Sequence, residues 1–245
     1  MEFRSLLKKS EEIVFTDHNS QNWLKDKYLY GGGNPRYFTF QLALNLLGSR
    51  TDSPLIVETG CQRLPNDIGD GMSTSIWGEY CKRYGGKVYA IDLSPESIEE
   101  CKKATVQYKD HIRYIISDSV KWLHNSRIGA IDLLYLDSFD YPYGEILKRY
   151  GWPANPEEAI KRSNEASFQE ILTNNKPDID PCQDHCLSEF KAAKKSGKLK
   201  DSTIILLDDN QLPGGGKPFK LKRELLKEGW ICLLDYQQSL WIQKV

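Results

Sequence analysis

The chain has 245 residues, of which 40% are hydrophobic, and this length and composition favour a single α/β domain, residues 1–245, with one sizeable core. Its formal net charge of −1 excludes a global attraction to nucleic acid or to an anionic membrane, so neither is expected as a partner. The N-terminus lacks the apolar centre of a signal peptide and no run of about 18 apolar residues occurs, which predicts a soluble, cytoplasmic protein.

The first part of the chain, residues 1–54, is expected to form N-terminal accessory helices. Tyr37 to Leu47 carries apolar residues at i, i+3 and i+4 spacing, which is typical of an amphipathic helix. The segment Gly31-Gly-Gly-Asn-Pro35 precedes it, and such a sequence is flexible. We expect this region to pack on the sheet or over the ligand.

From residue 55 onward, apolar runs of strand length alternate with helical patterns. The predicted strands are Leu55–Glu58, Lys87–Asp92, Ile112–Ile116, Ile131–Asp137 and Thr203–Leu207. The predicted helices are 73–84, 95–104, 120–123, a helix around Phe190, and 219–227. This alternation predicts βαβ units, and therefore a parallel sheet covered by helices on both faces in a Rossmann-like three-layer sandwich.

The C-terminal part breaks the alternation. Two strand-like runs, 230–236 and 239–245, are separated by a short polar turn, so they must be antiparallel to each other. The expected fold is thus α/β, with a mostly parallel seven-stranded sheet and a terminal antiparallel hairpin. Residues 141–181 are too long for a plain connection and are predicted to be a lid-like insertion. The densest basic run, Lys217 to Arg223, is interpreted as a solvated helix face.

The loop after the first predicted strand is rich in glycine. Gly60 and Gly71 allow a ligand to approach the backbone closely. Ser73 or Thr74 can cap the following helix, whose N-terminus attracts a carboxylate or a phosphate. The loop does not match G-x-G-x-x-G, which argues against a dinucleotide and leaves a nicotinamide-dependent oxidoreductase as the weaker alternative.

Acidic residues follow the next two strands. Asp92 is placed to accept hydrogen bonds from the two hydroxyls of a ribose; the alternative is that it caps the helix that starts at Pro95. Asp118 and Ser119 offer an acceptor for an exocyclic amine such as that of adenine; here the alternative is a helix cap.

This ordered series resembles the motifs of class I S-adenosylmethionine-dependent methyltransferases over about residues 55 to 245. The motifs are Val57-Glu-Thr-Gly60, Gly71-Met-Ser-Thr74, Ala90-Ile-Asp92, Ser117-Asp118-Ser119 and the strand that ends at Asp137. The resemblance implies that S-adenosyl-L-methionine is the cosubstrate and that Glu58, Gly60, Asp92 and Asp118 hold it. The chain departs from the pattern in its first glycine loop, which is lengthened by Gln62 to Asp70.

Several acidic and amide side chains follow the fourth and fifth strands. Asp137 ends the fourth strand, and Asp208, Asp209 and Asn210 end the fifth. Neighbouring strands lie about 5 Å apart, so these oxygens are expected to converge and to bind Mg²⁺ or another divalent cation. The alternative is that these acids cap turns or lie in solvent.

The same placement is similar to that in divalent-metal-dependent O-methyltransferases, such as catechol and macrocin-type sugar O-methyltransferases. It implies methyl transfer to a hydroxyl of a small molecule, with a metal-ligand pair that is either Asp208 with Asp209 or Asp209 with Asn210. Asp140 is the hypothesised general base, and His185 is its competitor. The alternative is a metal-independent N- or C-methyltransferase of the same fold. The sequence does not name the methyl acceptor, and assembly into a homo-oligomer stays open.

Overall fold

The computed structural model describes residues 23–24, 36–65, 72–140 and 179–243. Within these ranges, seven strands form one sheet in the order β3-β2-β1-β4-β5-β7-β6. The strands are β1 (Leu55–Thr59), β2 (Lys87–Asp92), β3 (Ile112–Ile116), β4 (Ile131–Leu136), β5 (Leu199–Leu207), β6 (Ile231–Asp235) and β7 (Ser239–Ile242). The pairs from β3 to β5 are parallel, which confirms the mostly parallel sheet.

Six α-helices lie within the described ranges. They are α1 (Tyr37–Arg50), α2 (Ser73–Tyr84), α3 (Pro95–Ala104), α4 (Ser119–Asn125), α5 (Asp180–Lys195) and α6 (Phe219–Lys227). Side chains of α1, α2 and α3, among them Phe40 and Trp77, pack on one face of the sheet. Side chains of α4, α5 and α6, among them Phe190 and Leu225, pack on the other face. The predicted three-layer sandwich is therefore confirmed.

The central strands are mostly apolar because helices cover both of their faces; the exceptions include Glu58 of β1 and Asp132 of β4. Every residue of β4 is buried, as are the last five residues of β5. The strand β5 begins at Leu199, four positions before the predicted Thr203. The prediction missed this start because the three residues after Leu199 are polar and at least partly exposed. An apolar pattern cannot reveal that part of a strand.

The terminal hairpin reverses a single strand. The strand β7 lies between β5 and β6 and is antiparallel to both, as predicted. The strand β6 ends at Asp235, one residue before the end of its apolar run, because the turn begins at Tyr236, whose N–H donates to the carbonyl of Gln238 at 2.9 Å. The strand β7 begins at Ser239, as predicted, and extends to Ile242.

Both accessory regions lie largely outside the described residues. Of residues 1–54, the structure describes 23–24 and the segment that forms α1 and leads into β1. Of the predicted insertion 141–181, residues 141–178 lie outside the described residues, and Asp180 and Pro181 belong to the first turn of α5. No helix in the described ranges is long and apolar enough to cross a membrane.

Candidate active site

A cavity of about 450 Å³ opens at the edge of the sheet where the strands β1 to β5 end. Its lining comes from the loops after these strands, together with Arg36 before α1 and His185 of α5. Ligands of open α/β sheets bind at this edge. The predicted site residues that line the cavity are Gly60, Ser73, Asp92, Asp118, Ser119, Asp137, Asp140, His185 and Asp209. Glu58, Asp208 and Asn210 are described but do not line it, and Gly71 lies outside the described residues.

Gly60 brings the end of β1 against the end of β4. Its φ is +75°, and a Cβ at this position would lie 2.5 Å from the carbonyl oxygen of Asp137. Its N–H donates to the carbonyl of Ile91 at 2.8 Å. Only glycine fits, because any side chain would meet the neighbouring backbone in a conformation that L residues rarely adopt.

Glu58 supports the first loop from below the cavity. It is fully buried and its Oε2 accepts a hydrogen bond from Thr74 Oγ1 at 2.5 Å. Burial raises the pKa of Glu58 well above its usual range, against the hydrogen bonds from the start of α2. The carboxyl therefore links β1 to α2 rather than facing the cavity.

The start of α2 is capped differently from the prediction. Met72 is the N-cap residue, with φ of +52°, and neither Ser73 nor Thr74 caps the helix with its side chain. Gln62 does so instead: its Oε1 accepts from Ser75 N at 3.1 Å. The prediction was wrong because the hydroxyl of Thr74 is already committed to Glu58.

Asp92 lies at the tip of β2, on the cavity wall. Its Oδ1 accepts from Ser94 N at 2.9 Å, and its Oδ2 lies 3.7 Å from Cys61 Sγ. The helix α3 is capped by Ser94, whose Oγ accepts from Ser97 N at 3.0 Å. Asp92 thus holds the turn before the helix and is not the cap itself.

Asp118 lies at the corresponding place after β3. It is the N-cap residue of α4, and its Oδ1 accepts from Lys121 N at 2.8 Å. It also lines the cavity. The helix-cap alternative is therefore correct for Oδ1 of Asp118. That Oδ2 accepts a hydrogen bond from a ligand amine stays a prediction.

A buried carboxylate, Glu189, organises the floor of the cavity between α4 and α5. Its Oε1 accepts from Ser119 Oγ at 2.5 Å and from Ser138 Oγ at 2.6 Å, and lies 3.3 Å from His185 Nε2. Ser119 Oγ is also 3.0 Å from the same nitrogen of His185. Because both groups approach one ring nitrogen, this is not the arrangement of a Ser-His-acid triad.

The three acids predicted at the tips of β4 and β5 do converge. Residues Leu136 and Leu207 are paired in the sheet, and Asp208 N donates to Leu136 O at 3.2 Å. Two cations of the chain pair with these acids. Lys217 Nζ lies 2.7 Å from Asp137 Oδ1 and 2.8 Å from Asp209 Oδ2, and Arg36 pairs with Asp208.

The third acid, Asp208, is enclosed on all sides. Arg36 Nε lies 3.0 Å from its Oδ2 and 3.2 Å from its Oδ1. Gln238 Nε2 donates to Oδ2 at 3.1 Å, as does the hydroxyl of Tyr135, and Asp209 N donates to Oδ1 at 2.7 Å. No oxygen of Asp208 is left to ligate a cation.

The donor set therefore does not fit a divalent cation, which corrects the sequence-based prediction. Asn210 points the other way: its Nδ2 donates to Asp235 Oδ1 at 3.0 Å, and its Oδ1 accepts from Ser239 Oγ at 3.4 Å. In the part of the chain that the structure describes, no group of three or more His, Cys, Asp or Glu residues could hold a metal ion. The physical reason is that Lys217 and Arg36 already compensate the carboxylates.

Two acids of this cluster, Asp137 and Asp208, have opposite pKa shifts. Burial, together with the charges of Asp208 and Asp209, raises the pKa of Asp137 to about 7, against the attraction of Lys217. Burial also acts to raise the pKa of Asp208, but the charge of Arg36 and the hydrogen bonds around it outweigh burial and hold that pKa below its usual range.

Asp140, the hypothesised base, lies at the rim of the cavity. Its side chain is 79% exposed and forms an ion pair with Arg63, whose Nη1 is 3.1 Å from Oδ2. Arg63 belongs to the loop after β1, so this pair spans the mouth between the ends of β1 and β4. His185 lies deeper, against the ring of Phe139, with ring centroids 5.3 Å apart.

Sequence reasoning missed four residues of the site. Lys217 was interpreted as part of a solvated helix face, but it is 4% exposed and precedes α6. Its place between a glycine run and a proline, shortly after Asp208 and Asp209, was a usable signal. For Arg36, Gln62 and Glu189 the sequence offers no such signal, because their partners are distant in the chain.

No family model matches this chain, and no curated protein does. Among solved structures, the chain is similar to the SAH-bound methyltransferase PaMTH1 of Podospora anserina, with 14% identity, a TM-score of 0.53, and coverage of 100% of this chain and 97% of that chain. It is also similar to apo CalS11, a TDP-rhamnose 3'-O-methyltransferase of calicheamicin biosynthesis, with 9% identity, a TM-score of 0.53, and coverage of 98% and 93% respectively. At these identities the similarity concerns the fold. The chain has the Rossmann-like fold of these methyltransferases.

Proposed function

We propose that this chain is an S-adenosylmethionine-dependent methyltransferase that transfers the methyl group to a hydroxyl of a small molecule. One observation carries the proposal: a single cavity at the carboxyl edge of the sheet is lined by Gly60, Asp92 and Asp118, the residues at the ends of three neighbouring strands. The fold that the chain shares with an SAH-bound methyltransferase supports this assignment.

Each end of the cosubstrate has matching groups in the cavity. Asp92 Oδ1 is bound to its own turn, and Oδ2, which lies 3.7 Å from Cys61 Sγ, is proposed to accept from the ribose hydroxyls as well. Asp118 Oδ1 is bound to Lys121 N, so its second oxygen can accept from the adenine amine. Gly60 and Ser73 line the part of the cavity nearest β1 and α2, where the methionine end belongs.

The reaction is a displacement at the methyl carbon. A lone pair of the acceptor oxygen forms the new C–O bond while the S–CH₃ bond breaks and its electron pair stays on sulfur, which yields S-adenosylhomocysteine. The hydroxyl proton passes to a base. Positioning of the two reactants and exclusion of water supply most of the acceleration in such a transfer.

Asp140 is the proposed base. It lies at the mouth of the cavity, between the ends of β1 and β4, where an acceptor enters. His185 is 3.0 Å from Ser119, next to the groups proposed for adenine, but its ring also packs on Phe139 beside Asp140, so it stays the competing candidate for the base.

Oxygen as the acceptor atom is supported by the similarity to CalS11, a sugar O-methyltransferase. A second candidate, metal-independent methyl transfer to nitrogen or carbon, is favoured by one observation: Lys217 and Arg36 already form ion pairs with the acids at the tips of β4 and β5. Mass-spectrometric location of the transferred methyl group on an acceptor distinguishes the two.

The first test is calorimetric titration of S-adenosylmethionine and S-adenosylhomocysteine into the protein. Asp92→Asn is expected to weaken binding by about tenfold or more, because a charge-assisted hydrogen bond to the ribose is lost. Asp201→Asn, on the exposed start of β5, is the matched control and should bind like the wild type. Failure of the wild type to bind either compound would overturn the proposed function, and binding of a nicotinamide dinucleotide instead would favour an oxidoreductase.

A further inference from the structure

Lys217 is buried at the junction of the β4 and β5 tips. It is 4% exposed, and its Nζ lies 2.7 Å from Asp137 Oδ1, 2.8 Å from Asp209 Oδ2 and 3.4 Å from the carbonyl oxygen of Asp137. An ammonium group has three N–H donors, so these three acceptors use all of them. Lys217 therefore has no donor left for a ligand in the cavity.

The fold delivers Lys217 to this point through a fixed backbone. Gln183 of α5 donates from Nε2 to the carbonyls of Gly214 at 3.2 Å and Gly216 at 3.0 Å. Gly216 has φ of +70°, and a Cβ there would overlap the carbonyl oxygen of Asp209. Asp209 itself has φ of +61°. Such positions persist where the surrounding structure imposes them, so the lysine is a built part of the site.

The ammonium and a divalent cation exclude each other at these carboxylates. Mg²⁺ needs oxygen ligands at about 2.0–2.1 Å in near-octahedral geometry. The oxygens of Asp137 and Asp209 that face each other are bound by Lys217, and a second cation between them would lie against the ammonium, where like charges repel. Asp208 cannot replace either ligand because Arg36, Tyr135 and Gln238 surround it.

We infer that Lys217 is the resident cation of this site: its ammonium takes the place of the divalent ion that the acidic residues predict, and it positions Asp137 in the cavity wall. Lys217 is a positioning residue, since it acts through Asp137 and Asp209. Methyl transfer then proceeds without a divalent ion bound to these carboxylates. This inference goes beyond the proposed function. Cation binding can be measured without any methyl transfer, so a result that overturns the inference does not overturn the proposed methyltransferase activity, and the reverse also holds.

Titration with Mn²⁺, followed by calorimetry and by the electron paramagnetic resonance of the free ion, tests the inference. The wild type should bind no stoichiometric Mn²⁺. Lys217→Met removes the ammonium and keeps an apolar stem of similar length. Asp137 and Asp209 should then bind Mn²⁺, with an affinity at least about tenfold above any weak residual affinity of the wild type. Lys217→Arg keeps a positive charge and should, like the wild type, bind no stoichiometric Mn²⁺. Lys220→Met is the control: it removes a partly exposed lysine paired with Asp180 and Asp184 and should leave Mn²⁺ binding as in the wild type.

Two results would overturn the inference. Stoichiometric Mn²⁺ binding by the wild type, abolished by Asp209→Asn, would show that the lysine gives way to the ion; this measurement needs no lysine variant to fold. Lys217→Met that keeps the wild-type affinity for S-adenosylhomocysteine but gains no Mn²⁺ binding would show that the carboxylates are not a cation site once the ammonium is removed.

Discussion

The guanidinium of Arg36 reaches Asp208 across 172 positions of sequence, with Nε 3.0 Å from Oδ2 and 3.2 Å from Oδ1. Both side chains are buried, at 9% and 0% exposure. Arg36 immediately precedes α1, and Asp208 immediately follows β5. The N-terminal helix is therefore tied to the same strand ends that bear the acidic cluster.

Arg36→Met should lower the free energy of unfolding by about 3–5 kcal/mol, because it leaves the Asp208 carboxylate buried without its counter-ion. Urea denaturation measures this loss. The double variant Arg36→Met with Asp208→Asn should recover most of it, since the uncompensated charge is then absent. A single variant within about 1 kcal/mol of the wild type would mean that the pair behaves like a surface ion pair.

Gly60→Ala should cost more stability than Gly197→Ala, although both glycines have positive φ, +75° and +71° respectively. In both variants the alanine must adopt a left-handed conformation, which should lower the free energy of unfolding by about 1–2 kcal/mol. Only Gly60→Ala adds a clash, because its Cβ would lie 2.5 Å from the Asp137 carbonyl, while nothing lies within 4 Å of a Cβ at Gly197. Urea denaturation compares the two, and equal losses would show that the end of β4 can move away.

The pH dependence of stability should contain a contribution from His185. Burial lowers its pKa, but the hydrogen bond and negative charge of Glu189 outweigh burial and raise that pKa above its usual value of 6.5. The stabilisation is therefore fully present below about pH 6.5 and is lost as pH rises through the higher folded-state value. The stability difference between the wild type and His185→Gln should shrink over this window.

An NMR titration of the imidazole provides the direct check. Its midpoint should lie above about 6.5, and Glu189→Gln should lower it, because the negative charge is removed. His185→Gln assigns the signal. A midpoint at or below the ordinary histidine value would show that burial outweighs Glu189.

Asp140→Asn should lower kcat of methyl transfer by about 10²–10⁴-fold, the usual contribution of a general base, and leave the affinity for S-adenosylhomocysteine unchanged. Arg63→Gln, which removes the ion-pair partner of Asp140, should have a much smaller effect because the carboxylate stays in place. Near-full turnover of Asp140→Asn together with loss of turnover in His185→Gln would move the role to His185.

Most of the sheet could be predicted because the forces that define its strands are local. Their apolar runs fixed β2 and β3 at their observed bounds, Lys87–Asp92 and Ile112–Ile116, although β3 is an edge strand in which Arg113 and Ile116 are exposed. Strand bounds were predicted less well where a segment is a strand only because it pairs with its neighbour. The polar start of β5, from Leu199, is a strand because it follows β4, and no periodicity reveals this.

The positions of the acids at the strand tips were determined by the sequence, because the carboxyl ends of parallel strands must share one edge of the sheet. Asp92, Asp118, Asp137 and Asp209 accordingly line one cavity. Which charge neutralises each acid was decided only by the tertiary structure. A group of neighbouring carboxylates predicts a cation, but whether that cation is a metal ion or a side chain such as Lys217 or Arg36 depends on which positive group the fold brings within about 3 Å of the buried oxygens.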